Sequence, residues 1–118
     1  MPNLEEAYLD NNSIYNLSIF KNKNISVRAN NQEIKKQVSS GAYLPTNYEL
    51  SLEFLLDGDG NIPNTSNISN DGQRITGADN KEYISWTNLS NQSQVTFDFS
   101  SSSTLFEFNG TVTVIATT

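Results

Sequence analysis

The chain contains neither cysteine nor histidine. Without thiolates or imidazoles there is no disulfide framework, no usual soft-metal ligand set, no thiol nucleophile and no imidazole base. A serine nucleophile would need another base, and although composition leaves room for a Ser–Lys arrangement, nothing in the spacing marks one. Long apolar runs are also missing, since no stretch approaches the roughly 20 residues of a membrane helix. The opening Met1-Pro2-Asn3-Leu4-Glu5-Glu6 has no basic segment and no apolar segment, so as written it is not a secretory signal. The expectation is synthesis in the cytoplasm without a signal peptide. Positive charge is scarce, with 7 basic residues against 13 acidic ones and a net charge of −6. That balance disfavours both nucleic acid and anionic membrane as partners.

What the chain has in quantity is Asn, Ser and Thr, at 17, 15 and 10 of 118 residues. This composition suits turn-rich β structure better than helix. The length fits one domain with one core. Residues 1–12 read as an N-terminal arm or short helix and residues 13–118 as a single β domain. The basic residues concentrate in one segment, where Lys21, Lys23, Arg28, Lys35 and Lys36 face only Glu33.

Residues 14–20 and 25–29 read as strands, the second with strict alternation. Asn30-Asn31 then offers two residues that tolerate positive φ, as a two-residue hairpin needs, which would set Arg28 opposite Glu33 and Val27 opposite Ile34. The strongest strand signal is Tyr48–Leu56, where Tyr48, Leu50, Leu52 and Phe54 alternate with polar residues. Residues 57–80 are rich in Asn and Gly and read as a long loop with a short strand near Arg74-Ile75-Thr76. Strands at Glu82–Leu89 and Gln94–Phe99 follow. Asn109-Gly110 is a strong hairpin signal, predicted to turn the chain between Thr104–Phe108 and Thr111–Ala116. The sum is an all-β, antiparallel two-sheet sandwich of immunoglobulin-like or jelly-roll type, with 7–8 short strands and a short N-terminal arm.

The motifs that invite chemistry have plainer readings beside them. Asp57-Gly58-Asp59-Gly60-Asn61 resembles a calcium turn, with Asp57, Asp59 and Asn61 as weak metal candidates. An EF-hand would require Gly and Glu where Ile62 and Ile68 stand, so the plain reading is an Asp/Gly turn and no cofactor is expected. Glu49 and Glu53 could flank a sugar bond but alternate on the face opposite the core. Tyr43, Tyr48, Tyr83 and Trp86 could form a sugar platform, although a lone tryptophan in a sandwich more often belongs to the core. Eight Asn-X-Ser/Thr sequons, at Asn11, Asn16, Asn24, Asn64, Asn67, Asn88, Asn91 and Asn109, read as accidental without a signal sequence.

The predicted terminal hairpin is apolar on two faces, one carrying Leu105, Val112 and Val114 and the other Phe106, Phe108 and Ile115. A spare apolar face suggests assembly. The expectation is a non-enzymatic structural subunit without catalytic residues, most like a bacteriophage capsid decoration or other virion protein. It would be a homo-oligomer binding itself or a capsid through Leu4, Tyr8, Leu9, Phe106, Phe108 and Ile115. The alternative is a carbohydrate-binding or adhesive module of a surface or tail-fibre protein. Both are analogies of design.

Overall fold

The computed structural model describes residues 5–21, 25–103 and 105–118. Strands make up 52% of it, in two sheets. In chain order they are β1 (Glu5–Tyr8), β2 (Ile25–Ser39), β3 (Tyr48–Ser51), β4 (Asn64–Ser66), β5 (Gln73–Thr76), β6 (Glu82–Trp86), β7 (Gln94–Ser102) and β8 (Phe106–Thr117). One sheet has the order β1-β2-β8-β7-β4 and the other β3-β6-β5. Short 3₁₀ turns occupy Ser18–Phe20 and Leu52–Phe54.

Alternation along each strand sends one set of side chains inward. From the larger sheet these include Val27, Ala29, Ile34, Val95, Phe97, Phe99, Phe106, Phe108, Val112 and Val114. From the smaller sheet and its flanks come Leu50, Leu52, Leu55, Ile84 and Trp86, and all belong to one hydrophobic cluster. Phe99 and Phe108 pack with ring centres 4.8 Å apart, and Trp86 lies 6.3 Å from both Tyr48 and Phe97. Each buried aromatic adds about 1.5–3 kcal/mol by leaving water. Trp86 is wholly buried and its indole N–H donates to the Ser69 carbonyl at 2.8 Å, which meets the polar requirement of burying it.

The expected all-antiparallel pattern is wrong for half of the large sheet. β1 runs parallel to β2, and β2 runs parallel to β8, whereas β7 and β4 pair antiparallel. The strands are not uniformly short either, since β2 has 15 residues and β8 has 12.

Both corrections come from the two predicted hairpins, neither of which forms. At Asn30-Asn31 the chain continues straight as β2, with a shift of register between Ala29 and Gln32 against β8. Asn31 does adopt positive φ, at 58°, but uses it for a bulge rather than a reversal. At Asn109-Gly110 neither residue has the positive φ that a tight I′ turn requires, and β8 passes through unbroken. Gly110 serves a different need. A Cβ there would sit 2.2 Å from the Gln32 carbonyl oxygen, so glycine is what lets β8 run against the bulge of β2.

Other boundaries differ for local reasons. Residues 14–20 form no strand but a single bridge, Asn16 to Leu56, followed by the 3₁₀ turn that buries Leu17 just ahead of it. The strand predicted at 48–56 ends at Ser51, whose hydroxyl accepts the Glu53 N–H as the 3₁₀ turn begins. β5 lies where the short strand was expected. β4 was missed, because three polar residues carry no alternation; it exists through pairing with Asp98–Ser100 of β7.

Asn-richness has a direct structural use. Asn11, Asn31, Asn67, Asn70, Asn80, Asn88 and Asn91 all have φ between 49° and 68°, the left-handed region that Asn tolerates better than most residues. Four of these head sequons, which fits turn chemistry as the reason for those asparagines.

The body is elongated, with a Cα envelope of 58 × 29 × 21 Å. Its radius of gyration, 15.7 Å, exceeds the ~13.5 Å expected for a rounded domain of this length. β2 sets the long axis, since 15 residues at about 3.3 Å each span ~50 Å.

Candidate functional site

The centre of the large sheet is built around the β2 bulge. On the face away from the core, the Asn109 amide bridges to it: its Nδ2 donates to Asn30 Oδ1 at 2.6 Å and its Oδ1 accepts the Asn31 N–H at 2.8 Å. The Asn30 N–H donates to Asp10 Oδ1 at 2.7 Å. On the core face, the wholly buried Gln32 accepts the Ile14 N–H at 2.8 Å and donates to the carbonyls of Leu9 (2.6 Å) and Asn30 (3.2 Å). The bulge thereby ties residues 9–14 to the sheet. Its extra residue frees backbone and side-chain groups from the ladder to do so.

Around the crossing lies a shallow depression of about 320 Å³, bordered by Asn31, Glu33, Asp98, Asn109 and Thr111. Asp98 is committed, accepting the Thr111 hydroxyl at 2.6 Å and the Asn67 amide at 2.8 Å. The depression therefore offers amides, a hydroxyl and one further carboxylate, a set suited to hydrogen bonding. A second depression of about 350 Å³ is bordered by Glu6, Tyr8, Arg28, Ser103, Phe106 and Glu107. Arg28 Nε stands 3.1 Å from Asp10 and 4.0 Å from Glu107, and the Arg28 and Glu107 side chains are exposed. Such pairs add about 0–1 kcal/mol. Tyr8 hydrogen-bonds the Glu6 carboxylate, and that bond holds its hydroxyl pKa above the ordinary value.

The expected partner residues do not share a surface. Leu4 lies outside the described residues. Tyr8 is 69% exposed on the edge strand, while Leu9 is partly buried against the core. Phe106 and Phe108 are buried at 6% and 0% exposure, and Ile115 is half-buried on the opposite face. With no reversal at Asn109-Gly110, alternation along one continuous strand puts Phe106 and Phe108 on the same side as Val112 and Val114. The second apolar face is the domain's own core.

The Asp57 turn is likewise occupied by the protein itself. Asp57 is buried; its Oδ1 accepts the Asp59 and Asn61 N–H groups at 2.9 and 3.0 Å and its Oδ2 accepts the Ser101 hydroxyl at 2.7 Å. Asp59 and Asn61 are exposed beside it. Among the described residues no group of three or more His, Cys, Asp or Glu is placed to hold a metal ion. Glu53 pairs with Lys81 at 3.3 Å on the surface.

The aromatic residues do not form a platform. Trp86 is core, Tyr48 stacks on it with its hydroxyl pKa raised by burial, and Tyr83 donates to Asp79 at 2.5 Å. That bond raises the Tyr83 pKa and lowers that of Asp79. Tyr43 stands apart, half exposed. The basic segment does not make one patch either: Lys35 and Lys36 project to opposite faces of β2, and the Lys36 ammonium lies 4.2 Å from the centre of the Phe54 ring. Lys23 lies outside the described residues. The Gln32 anchor and the Asn30–Asn109 bridge are the features that sequence reading missed. Nothing local marks them, because their partners are up to 79 residues away.

No protein-family model and no curated protein matches the chain. Among solved structures it is similar to the functional domain of InlJ from Listeria monocytogenes, a structure described as including a cysteine ladder. The TM-score is 0.66 at 24% identity, over 97% of this chain and 25% of that one. The likeness shows the fold. The chain thus spans a quarter of the length of that solved chain, and it contains no cysteine of its own.

Proposed function

We propose that the domain is a non-enzymatic β-sandwich module that serves as a rigid spacer within a longer surface or tail-fibre protein. The observation that carries this reading is the direction of its strands. β1 begins beside Ile25 at one end of β2, and β8 finishes beside Ser39 at the other, because both run parallel to β2. The polypeptide enters at one end of a 58 Å body and leaves at the opposite end. Modules with that polarity add their lengths when strung in series. The similar fold also occurs as a quarter of a longer chain.

A capsid subunit would need a spare Phe106/Phe108 face beside its N-terminal arm, and those rings close the domain's own core. The sugar-platform reading drew on Trp86, which is likewise enclosed. The spacer reading uses neither. Its test is small-angle scattering on one copy and on two copies joined directly in series. The expected result is a monomer whose maximum dimension nearly doubles in the tandem. A tandem that folds back to the length of one copy, or single domains that assemble with concentration, would overturn the reading.

A further inference from the structure

We infer that the β2–β8 pair is a shear-loaded mechanical clamp, so that the domain resists tension along the protein far better than tension applied across one end. The inference rests on the spacer reading for its biological use, though not for its physics.

The pair is parallel and in register at eleven positions, from Val27–Phe106 to Ser39–Thr117, interrupted only by the bulge. Tension pulls β2 from its Ile25 end and β8 from its Thr117 end. In a parallel pair those are opposite ends, so the two strands are drawn lengthwise past one another. Every ladder hydrogen bond then carries load together, and none yields until several do. If the same strands are pulled from the Ser39/Thr117 end alone, the bonds open one at a time. The net strength of one such bond is modest, ~0.5–1.5 kcal/mol, so simultaneous loading is what raises the barrier. β1, with only four register pairs to β2, is the element that yields first.

Three further features suit the clamp to this role. β8 is the central strand, with β7 on its other side through nine register pairs, so it cannot slip without disturbing the sheet. The Asn30 and Asn31 groups bonded to Asn109 cross-link the strands at the point where the ladder is interrupted. Gly110 seats against the bulge of β2, a steric step that opposes sliding.

Force spectroscopy tests this directly, because the native chain has no cysteine and introduced thiols are unique handles. Lys21→Cys with Thr118→Cys places handles at opposite ends of the pair. Ala42→Cys with Thr118→Cys places both at the same end. All three positions are exposed, and matching urea midpoints would establish that both variants fold alike. Forced unfolding reads the unfolding barrier along the pulling direction. The expected result is a several-fold higher unfolding force for the 21/118 pair at equal loading rate. Equal forces, or a weaker 21/118 pair, would overturn the clamp while leaving the scattering test of the spacer untouched.

Discussion

Gly110→Ala is the substitution that most sharply tests how the two long strands meet. The added Cβ would lie 2.2 Å from the Gln32 carbonyl oxygen, 2.8 Å from its carbon and 2.9 Å from its Cβ. Two of those three atoms are backbone in a central ladder, so no side chain can swing away. Relief requires the strands to part by about 1 Å, against an ordinary strand spacing of ~4.8 Å. Overpacking of this kind costs about 1–3 kcal/mol. Weakening one or two neighbouring ladder bonds adds ~0.5–1.5 kcal/mol each. Against this, alanine restricts the unfolded chain and returns about 0.4–1 kcal/mol. The net loss lies between about 0.5 and 5.5 kcal/mol, with ~3 kcal/mol expected from the middle of these ranges. In urea, with a slope of about 1–3 kcal/mol per M, a loss of ~3 kcal/mol lowers the midpoint by about 1–3 M. Trp86, the only tryptophan and fully buried, reports the transition by fluorescence. Gly60→Ala is the comparison: it meets only the flexible end of Lys21 and carries the strain of φ +80°, so a loss nearer 1 kcal/mol is expected. A change under about 0.5 kcal/mol at Gly110 would refute the close approach of β8 to the bulge.

Replacing Gln32 with Leu keeps the volume but removes the partners of the Ile14 N–H and Leu9 carbonyl; a loss of about 2–4 kcal/mol, with faster amide exchange in residues 9–14 than in β8, should follow. Asp57→Ala strips three hydrogen bonds from the 57–61 turn and should cost about 2–4 kcal/mol by urea titration, while added calcium leaves the wild-type melting temperature unchanged. Hydrogen bonds from Thr76 and then Arg74 hold the Glu82 carboxyl below its ordinary pKa. A depressed carboxyl stabilises the fold above its unfolded value, near pH 4.3, and loses that contribution as pH falls through the folded value. Glu82→Gln should therefore flatten part of the acid limb of the stability curve and leave its slope above pH 6 unchanged; an unaltered acid limb would refute the assignment.

The strand content was legible because alternation is local. Val95, Phe97 and Phe99 announce an inward face in any sheet, and Trp86 announces itself as core. The lone short strand at Arg74–Thr76 was also legible between its turn residues. β4 was not, since Asn64–Ser66 becomes a strand only by lying beside β7. The face of Phe106 and Phe108 was misassigned for one reason: it depended on a turn at Asn109-Gly110, and the unbroken β8 turns both rings into the core. The Asp57 turn could be seen, but not that Ser101 closes it, 44 residues away.

By itself the sequence determined that the protein is β-built, turn-rich and without thiol or imidazole side chains. Those properties follow from residue types and from a two-residue period. Only the tertiary structure decided whether Asn30-Asn31 and Asn109-Gly110 reverse the chain or let it run on. A left-handed asparagine and an unhindered glycine serve a hairpin turn and a bulge with its close neighbour equally well. The choice falls to contacts with distant segments, here Gln32 with residues 9–14 and β2 with β8. That choice made two strands long and parallel, and so set the opposite exits on which the proposed role in bearing tension depends.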